Sequence, residues 1–178
     1  MTAMENPVCG EAAARAAGLR IMGFDVDGVL TDGRLYFGAQ GEALKAFHVR
    51  DGAGIKMLQA AGLQVALVTG RESGIVRARA ADLGITLVRQ GVTNKRAVFA
   101  QLLEGLGLSF AQAGFMGDDG IDLPLMQACA FCAAPLDAHP DVLKAALYIP
   151  SAPAGQGAVR DVCEWILRAQ NRMTPALP

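Results

Sequence analysis

At 178 residues, 52% of them apolar and 19% charged, the chain is long enough to bury one substantial core and too apolar to belong with disordered sequences. Its 16 basic and 17 acidic residues are interspersed and leave a net charge of −1, which excludes the broad basic field that nucleic acid or an anionic membrane surface requires. No apolar run approaches the ~20 residues of a bilayer span, and Glu5, Glu11 and Arg15 interrupt the region where a secretory segment would be apolar, so a cytoplasmic setting is expected.

Residues 1–19 start irregularly at Asn6-Pro7 and continue as an Ala-rich helix, Glu11 to Ala17, stopped by Gly18; they read as an arm ahead of the main domain. Ile21 to Phe24 is a short apolar run bounded by turn formers, a buried strand. It delivers Asp25-Val26-Asp27-Gly28 at its C-terminal end, the edge at which open α/β sheets hold ligands. Alternate strand positions share a side, so Asp25 and Asp27 can converge on one phosphate or one cation, and Gly28 permits a tight turn behind them. Two neighbouring carboxylates need a counter-charge, for which Mg²⁺ suits an all-oxygen donor set. A calcium loop is excluded, because Val29 and Tyr36 stand where oxygen ligands belong; a ligand-free, Asp-rich turn stays open at this point.

Residues 34–49 form a hairpin around Gly38-Ala39-Gln40-Gly41. A two-stranded ribbon is marginal in water, so Tyr36, Phe37 and Phe47 either pair with another subunit or fold back on their own domain. Asp51 reads as the N-cap of a helix through Ile55, Met57 and Leu58 that ends at Gly62. Val65 to Val68 is a second buried strand, leading into Thr69-Gly70-Arg71, where Thr69 either meets a phosphoryl oxygen or caps the next helix. That helix, Ser73 to Leu83, carries Arg77 and Arg79, either a solvated face or a reach toward an anionic substrate.

After a strand at Ile85 to Val88, Thr93-Asn94-Lys95 opens a helix to about Leu106. Helix N-termini favour anions, so Lys95 there is either a surface lysine or a partner of the dipole in holding a phosphate or carboxylate. Gly114 to Gly117 approaches Asp118-Asp119 as a strand, and Asp122 falls in the first turn of the next helix, a second acidic cluster at a strand end. Strands at 130–134 and 146–149 flank a short helix near His139 to Ala145, and a small-residue loop, 151–157, precedes a closing helix, 158–169, that holds Trp165. The tail from Asn171, with Pro175 and Pro178, is expected to be mobile. Of the cysteines, Cys129 and Cys132 have a metal-like spacing, but no second pair exists and His48 and His139 stand alone, so Cys9, Cys129, Cys132 and Cys163 are read without metal or redox duty, the spaced pair as core residues. Alternating strands and helices predict an α/β domain over 1–178 with a doubly wound parallel sheet.

Taken in order, Asp25/Asp27, Thr69, Lys95 and Asp118/Asp119 resemble the four-part site of the haloacid dehalogenase (HAD) superfamily of phosphatases. Asp-Val-Asp-Gly-Val-Leu-Thr-Asp-Gly at 25–33, Phe-His-Val-Arg-Asp-Gly at 47–52, Gly70-Arg71, Gly117-Asp118-Asp119 with Asp122, and Gly155-Gln156-Gly157-Ala158 followed by Arg160 resemble the 3-deoxy-D-manno-octulosonate 8-phosphate phosphatase family. Gly74, where that family is expected to have Pro, is a modest departure.

The resemblance implies a HAD-like domain with no separate cap, a homotetramer assembled through the hairpin with active sites at subunit interfaces, and a role in lipopolysaccharide sugar biosynthesis. It implies Asp25 as nucleophile and Asp27 as acid and base. Mg²⁺ would be held by Asp25, the Asp27 carbonyl and Asp118; Thr69, Gly70 and Lys95 would bind phosphate. Arg71 and Arg79 would meet the rest of a sugar acid phosphate, with Asp119 and Asp122 supporting the metal ligands from behind. Arg160 either closes over the site or pairs with Glu164. A nine-carbon sugar acid phosphate as substrate, and a catalytically silent tetramerisation module, are the alternatives; transfer to another sugar would normally need a cap to exclude water.

Overall fold

The computed structural model describes residues 10–173; Cys9 and the prolines of the expected tail lie outside them. Five parallel strands form the main sheet in the order β5-β4-β1-β6-β7: β1 is Ile21–Phe24, β4 Gln64–Val68, β5 Leu87–Arg89, β6 Ala113–Met116 and β7 Phe131–Ala133. β1 is central and buried at every position, because helices cover both faces of the sheet and leave no side of the strand to water. Gly23 sits in its middle for a packing reason. A Cβ there would lie 2.7 Å from the Phe115 ring and 2.8 Å from the Phe99 ring, which meet edge to face with centroids 5.9 Å apart.

The two faces carry separate cores. On one, Met22, Phe24, Leu58 and Ile166 pack beneath α1 (Glu11–Ala17), α2 (Val49–Ala60), α3 (Gly74–Leu83) and α7 (Ala158–Ala169). On the other, Ile21, Phe99, Phe115 and Leu125 pack against α4 (Lys95–Gly105), α5 (Leu123–Met126) and α6 (Pro140–Ala145). Trp165 of α7 stacks on Tyr148, centroids 4.6 Å apart, and on Phe131 at 5.4 Å, closing the edge near β7. The arm helix α1 is tied down. Its Ala16 is fully buried, and the Gln170 amide donates to the carbonyls of Ala16 and Leu19 at 3.0 Å each.

Two expectations shift. The strand at 146–149 is reduced to a single bridge between Ala133 and Tyr148, with Pro150, which cannot donate to a ladder, following directly. Helix α2 begins earlier and is capped by His48, whose Nδ1 accepts from the Arg50 amide at 3.2 Å. Asp51 does cap a helix, but a different one: its carboxylate accepts from the amides of Gly157 at 3.3 Å and Arg160 at 2.9 Å, at the N-terminus of α7. Propensity marks Asp51 as a capping residue without saying which helix it will meet.

β2 (Tyr36–Gly38) and β3 (Gly41–Leu44) form a separate antiparallel hairpin that leaves Leu35, Phe37 and Leu44 largely exposed. Among the described residues no helix is long and apolar enough to cross a membrane.

Candidate active site

Because β1 and β6 are parallel neighbours in register, their C-terminal ends release Asp25 and Asp118 side by side. The Asp25 amide continues the ladder to Met116 O at 3.0 Å. The chain then turns sharply. The amides of Val29, Leu30 and Thr31 converge on Val26 O, and the Thr31 hydroxyl accepts from Gly28 and Gly33 at 3.4 and 3.3 Å. Gly28 adopts φ +86°, and a Cβ there would lie 2.0 Å from an oxygen of Asp118, so only glycine lets the second acidic loop approach the first.

Asp122, fully buried, organises that second loop. Its Oδ2 accepts from the amides of Asp118 at 3.1 Å and Asp119 at 3.3 Å, while its Oδ1 accepts from Lys95 Nζ at 2.6 Å. Lys95 opens α4, is 2% exposed, and places the same ammonium 3.0 Å from Asp25 Oδ2. Asp25, Asp118 and Asp122 therefore each offer an oxygen within 4.8 Å of the others. One ammonium does not neutralise three carboxylates. Burial, and then repulsion from Asp25 and Asp122, push the Asp118 carboxyl up to about 8. Burial, only partly offset by Lys95, pushes Asp25 up to about 6. Burial pulls Lys95 down, but Asp25 and Asp122 more than compensate and hold it above the usual lysine range. A pocket of hard oxygens with excess negative charge is built for a small divalent cation.

Asp27 leaves the same turn toward a different neighbourhood. Its Oδ1 accepts from Lys45, whose side chain is 1% exposed and whose ammonium also lies 2.9 Å from Glu42 Oε1. The Ser73 hydroxyl donates to Glu42 and, with Lys45 and Arg71 nearby, holds that carboxyl below its usual range. Arg71 places Nε 3.9 Å from Asp27 Oδ2 and its guanidinium 5.7 Å from the Phe37 ring centroid. Asp27 Oδ2 and Arg71 Nε are both buried without a hydrogen-bond partner among the described residues. The hairpin thus docks through Glu42 and Lys45 on its own domain while presenting its apolar side outward.

Of the residues singled out from the sequence, Asp25, Lys95, Asp118 and Asp122 meet directly, and Asp27 and Arg71 stand beside them. Thr69 is 2% exposed at the end of β4 and is not a helix cap; Ser73 caps α3, accepting from Ile75 and Val76. Gly70 follows Thr69 directly, and a Cβ there would lie 3.6 Å from the Val92 carbonyl oxygen. Asp119 is exposed and its carboxylate accepts from the Gly120 amide at 2.7 Å. Arg79 is engaged elsewhere, with Asp82 at 2.7 Å and over the Phe47 ring at 5.7 Å. Arg160 pairs with Glu164 at 2.5 Å on its own helix. Cys129 and Cys132 are buried thiols, raised above the usual range by that burial. Sequence reasoning missed Lys45 and Glu42. The available signal was a lysine among Leu44, Ala46 and Phe47, with an acid three residues earlier.

No family model matches the sequence. The chain is 43% identical to the 3-deoxy-D-manno-octulosonate 8-phosphate phosphatase KdsC of Escherichia coli strain K12 over 171 residues, 96% of this chain and 91% of that protein. The crystal structure of the Yersinia pestis 3-deoxy-D-manno-octulosonate 8-phosphate phosphatase superposes with a TM-score of 0.92 at 42% identity, covering 97% of this chain and 93% of that one. The Moraxella catarrhalis phosphatase of the same name, solved with a magnesium ion, a phosphate ion and a KDO molecule, superposes with a TM-score of 0.88 at 35% identity, covering 90% and 92%. With a parallel sheet that sets two acidic loops against a buried lysine, and with identity of this order over nearly its whole length, the chain belongs to the 3-deoxy-D-manno-octulosonate 8-phosphate phosphatases of the HAD superfamily.

Proposed function

We propose that the chain hydrolyses 3-deoxy-D-manno-octulosonate 8-phosphate to the free sugar acid and phosphate, through a phosphoryl group carried on Asp25. The observation that carries this reading is the trio Asp25, Asp118 and Asp122 closed by one buried ammonium, in a chain 43% identical to phosphatases of that name. Asp25 and Asp118 would hold Mg²⁺ through carboxylate oxygens, with the Asp27 carbonyl as a further ligand; when bound, the ion draws in phosphoryl oxygens and screens them from the carboxylate that attacks.

Asp25 attacks phosphorus in line, replacing one difficult hydrolysis by two easier displacements. Lys95, clamped between Asp25 and Asp122, holds the nucleophile's second oxygen and supplies fixed positive charge to the phosphoryl group. Thr69, capping no helix, offers its hydroxyl to a phosphoryl oxygen, and Gly70 lets backbone approach beside it. Asp27 protonates the departing sugar oxygen and later takes a proton from the attacking water. Arg71, whose side chain is partly exposed beside Asp27, meets the substrate carboxylate, and Arg79 is the more remote second cation. Asp122 holds the Asp118 loop in place, and Asp119 flanks it.

The exposed Leu35, Phe37 and Leu44 of the hairpin support a homotetramer, to be checked by light scattering coupled to size-exclusion chromatography. The free buried thiols suit a reducing compartment such as the cytoplasm.

The direct test is Mg²⁺-dependent phosphate release from a panel of sugar phosphates that includes the eight- and nine-carbon keto acids, with Asp25→Asn in parallel. Preferential turnover of the eight-carbon ester, lost in the variant, is expected. Equal or better turnover of the nine-carbon ester would reassign the substrate, and no release from any ester by folded, metal-loaded protein would make the chain an assembly module.

A further inference from the structure

We infer that Lys45 is a positioning residue for the acid–base step: by binding Asp27 Oδ1 it turns Asp27 Oδ2 toward the leaving oxygen, and Glu42 and Ser73 hold it there. The inference rests on the phosphatase reading and goes beyond it, because it gives the hairpin a part in the chemistry.

Three observations carry it. The Lys45 side chain is 1% exposed, although a lysine ordinarily keeps its ammonium in water, and its ammonium is placed between Asp27 and Glu42. Glu42 is itself fixed from the far side by the Ser73 hydroxyl, at the start of α3, so Lys45 is held by a chain of polar contacts rooted in the main domain. The two oxygens of Asp27 are unequal: Oδ1 is taken by Lys45, while Oδ2 is buried, has no hydrogen-bond partner among the described residues, and lies on the side of Arg71. A general acid needs one oxygen aimed at the reacting atom, and a carboxylate free to rotate would spend most of its time elsewhere.

In the first displacement the phosphorus–oxygen bond to the sugar breaks as Asp25 bonds to phosphorus, and the proton on Asp27 Oδ2 passes to the departing sugar oxygen. In the second, Asp27 Oδ2 takes a proton from water, the water oxygen bonds to phosphorus, and the bond to Asp25 breaks. Lys45 touches neither substrate nor phosphorus; it acts through Asp27.

The roles separate with p-nitrophenyl phosphate, whose phenolate leaves without a proton. In Lys45→Met the first displacement on this ester stays fast and the second slows. Rapid-quench measurements with Mg²⁺ should therefore show a burst of nitrophenolate stoichiometric with active sites, then steady turnover roughly 10–100-fold below the parent, the scale of a misplaced acid–base group. On the sugar phosphate, where both displacements need the proton, kcat should fall by a similar factor while KM changes little, and Lys45→Arg should recover part of the loss. If Lys45→Met leaves Glu42 unpaired and fails to fold, the double variant Glu42→Gln/Lys45→Met removes both charges and should show the same burst. Both displacements slowed alike, a raised KM with unchanged kcat, or full activity would each overturn the inference. An inactive parent protein would instead overturn the phosphatase reading.

Discussion

One turn of chain feeds two clusters with different charge balance. Asp25 enters a pocket where it and buried Asp122 share one ammonium beside the half-buried carboxylate of Asp118, whereas Asp27, two residues on, enters one where its carboxylate and that of Glu42 face the ammonium of Lys45 and the guanidinium of Arg71. The first is short of positive charge, and Asp25 and Asp118 are raised; the second is balanced within the protein, and Glu42 is lowered. The alternation of strand residues sends the two aspartates out together, but neighbours from different parts of the chain leave one cluster short of positive charge and balance the other within the protein.

The largest expected effect tests the cation-seeking side. Asp25→Asn keeps the shape and removes the nucleophile proposed above, and phosphate release should fall by on the order of 10⁴-fold or more, the scale seen when one member of a catalytic unit is lost. Asp122→Ala strikes the same side through stability. It leaves Lys95 with one partner and two loop amides with none, at a cost of about 3–5 kcal/mol, readable by urea denaturation.

The charge imbalance should also appear as pH dependence. Asp25 and Asp118 are both raised on folding, so their contribution to the metal-free fold is fully present below the ordinary aspartate range and is lost as pH rises through about 6 and about 8. In EDTA, Tm should therefore fall by roughly 5–10 °C from pH 5 to pH 8, as a few kcal/mol does in a domain of this size, and Mg²⁺ should flatten the slope. A flat profile without metal would remove the distinction between the clusters. The smallest effect is expected on the balanced side: Glu42→Gln keeps a hydrogen-bonding side chain and should cost about 1 kcal/mol by the same denaturation assay. If it destabilised as much as Asp122→Ala, the clusters would not differ as described.

Much of this was open to reading along the chain. Apolar runs ending in Asp25, Thr69 and Asp118 report strand ends because a strand buried on both faces must be apolar throughout and can turn polar only where it leaves the sheet. Helix α1 and helix α7 follow from propensity and stop signals within a few residues of each boundary, and Lys95 stands out because a cation opposes the dipole at a helix start. These are local properties, determined by each residue and its near neighbours. Tertiary structure alone decided which groups meet across long separations: Asp51 caps a helix more than 100 residues away, Asp122 closes on Lys95, and Lys45 turns inward to Asp27. Nothing near Lys45 requires it to be buried; that follows from the hairpin folding over a carboxylate that its own strand does not contain. Which partner a charged side chain finds is decided by the competition between water and whatever the fold brings within reach, and that competition is settled only once the sheet has formed.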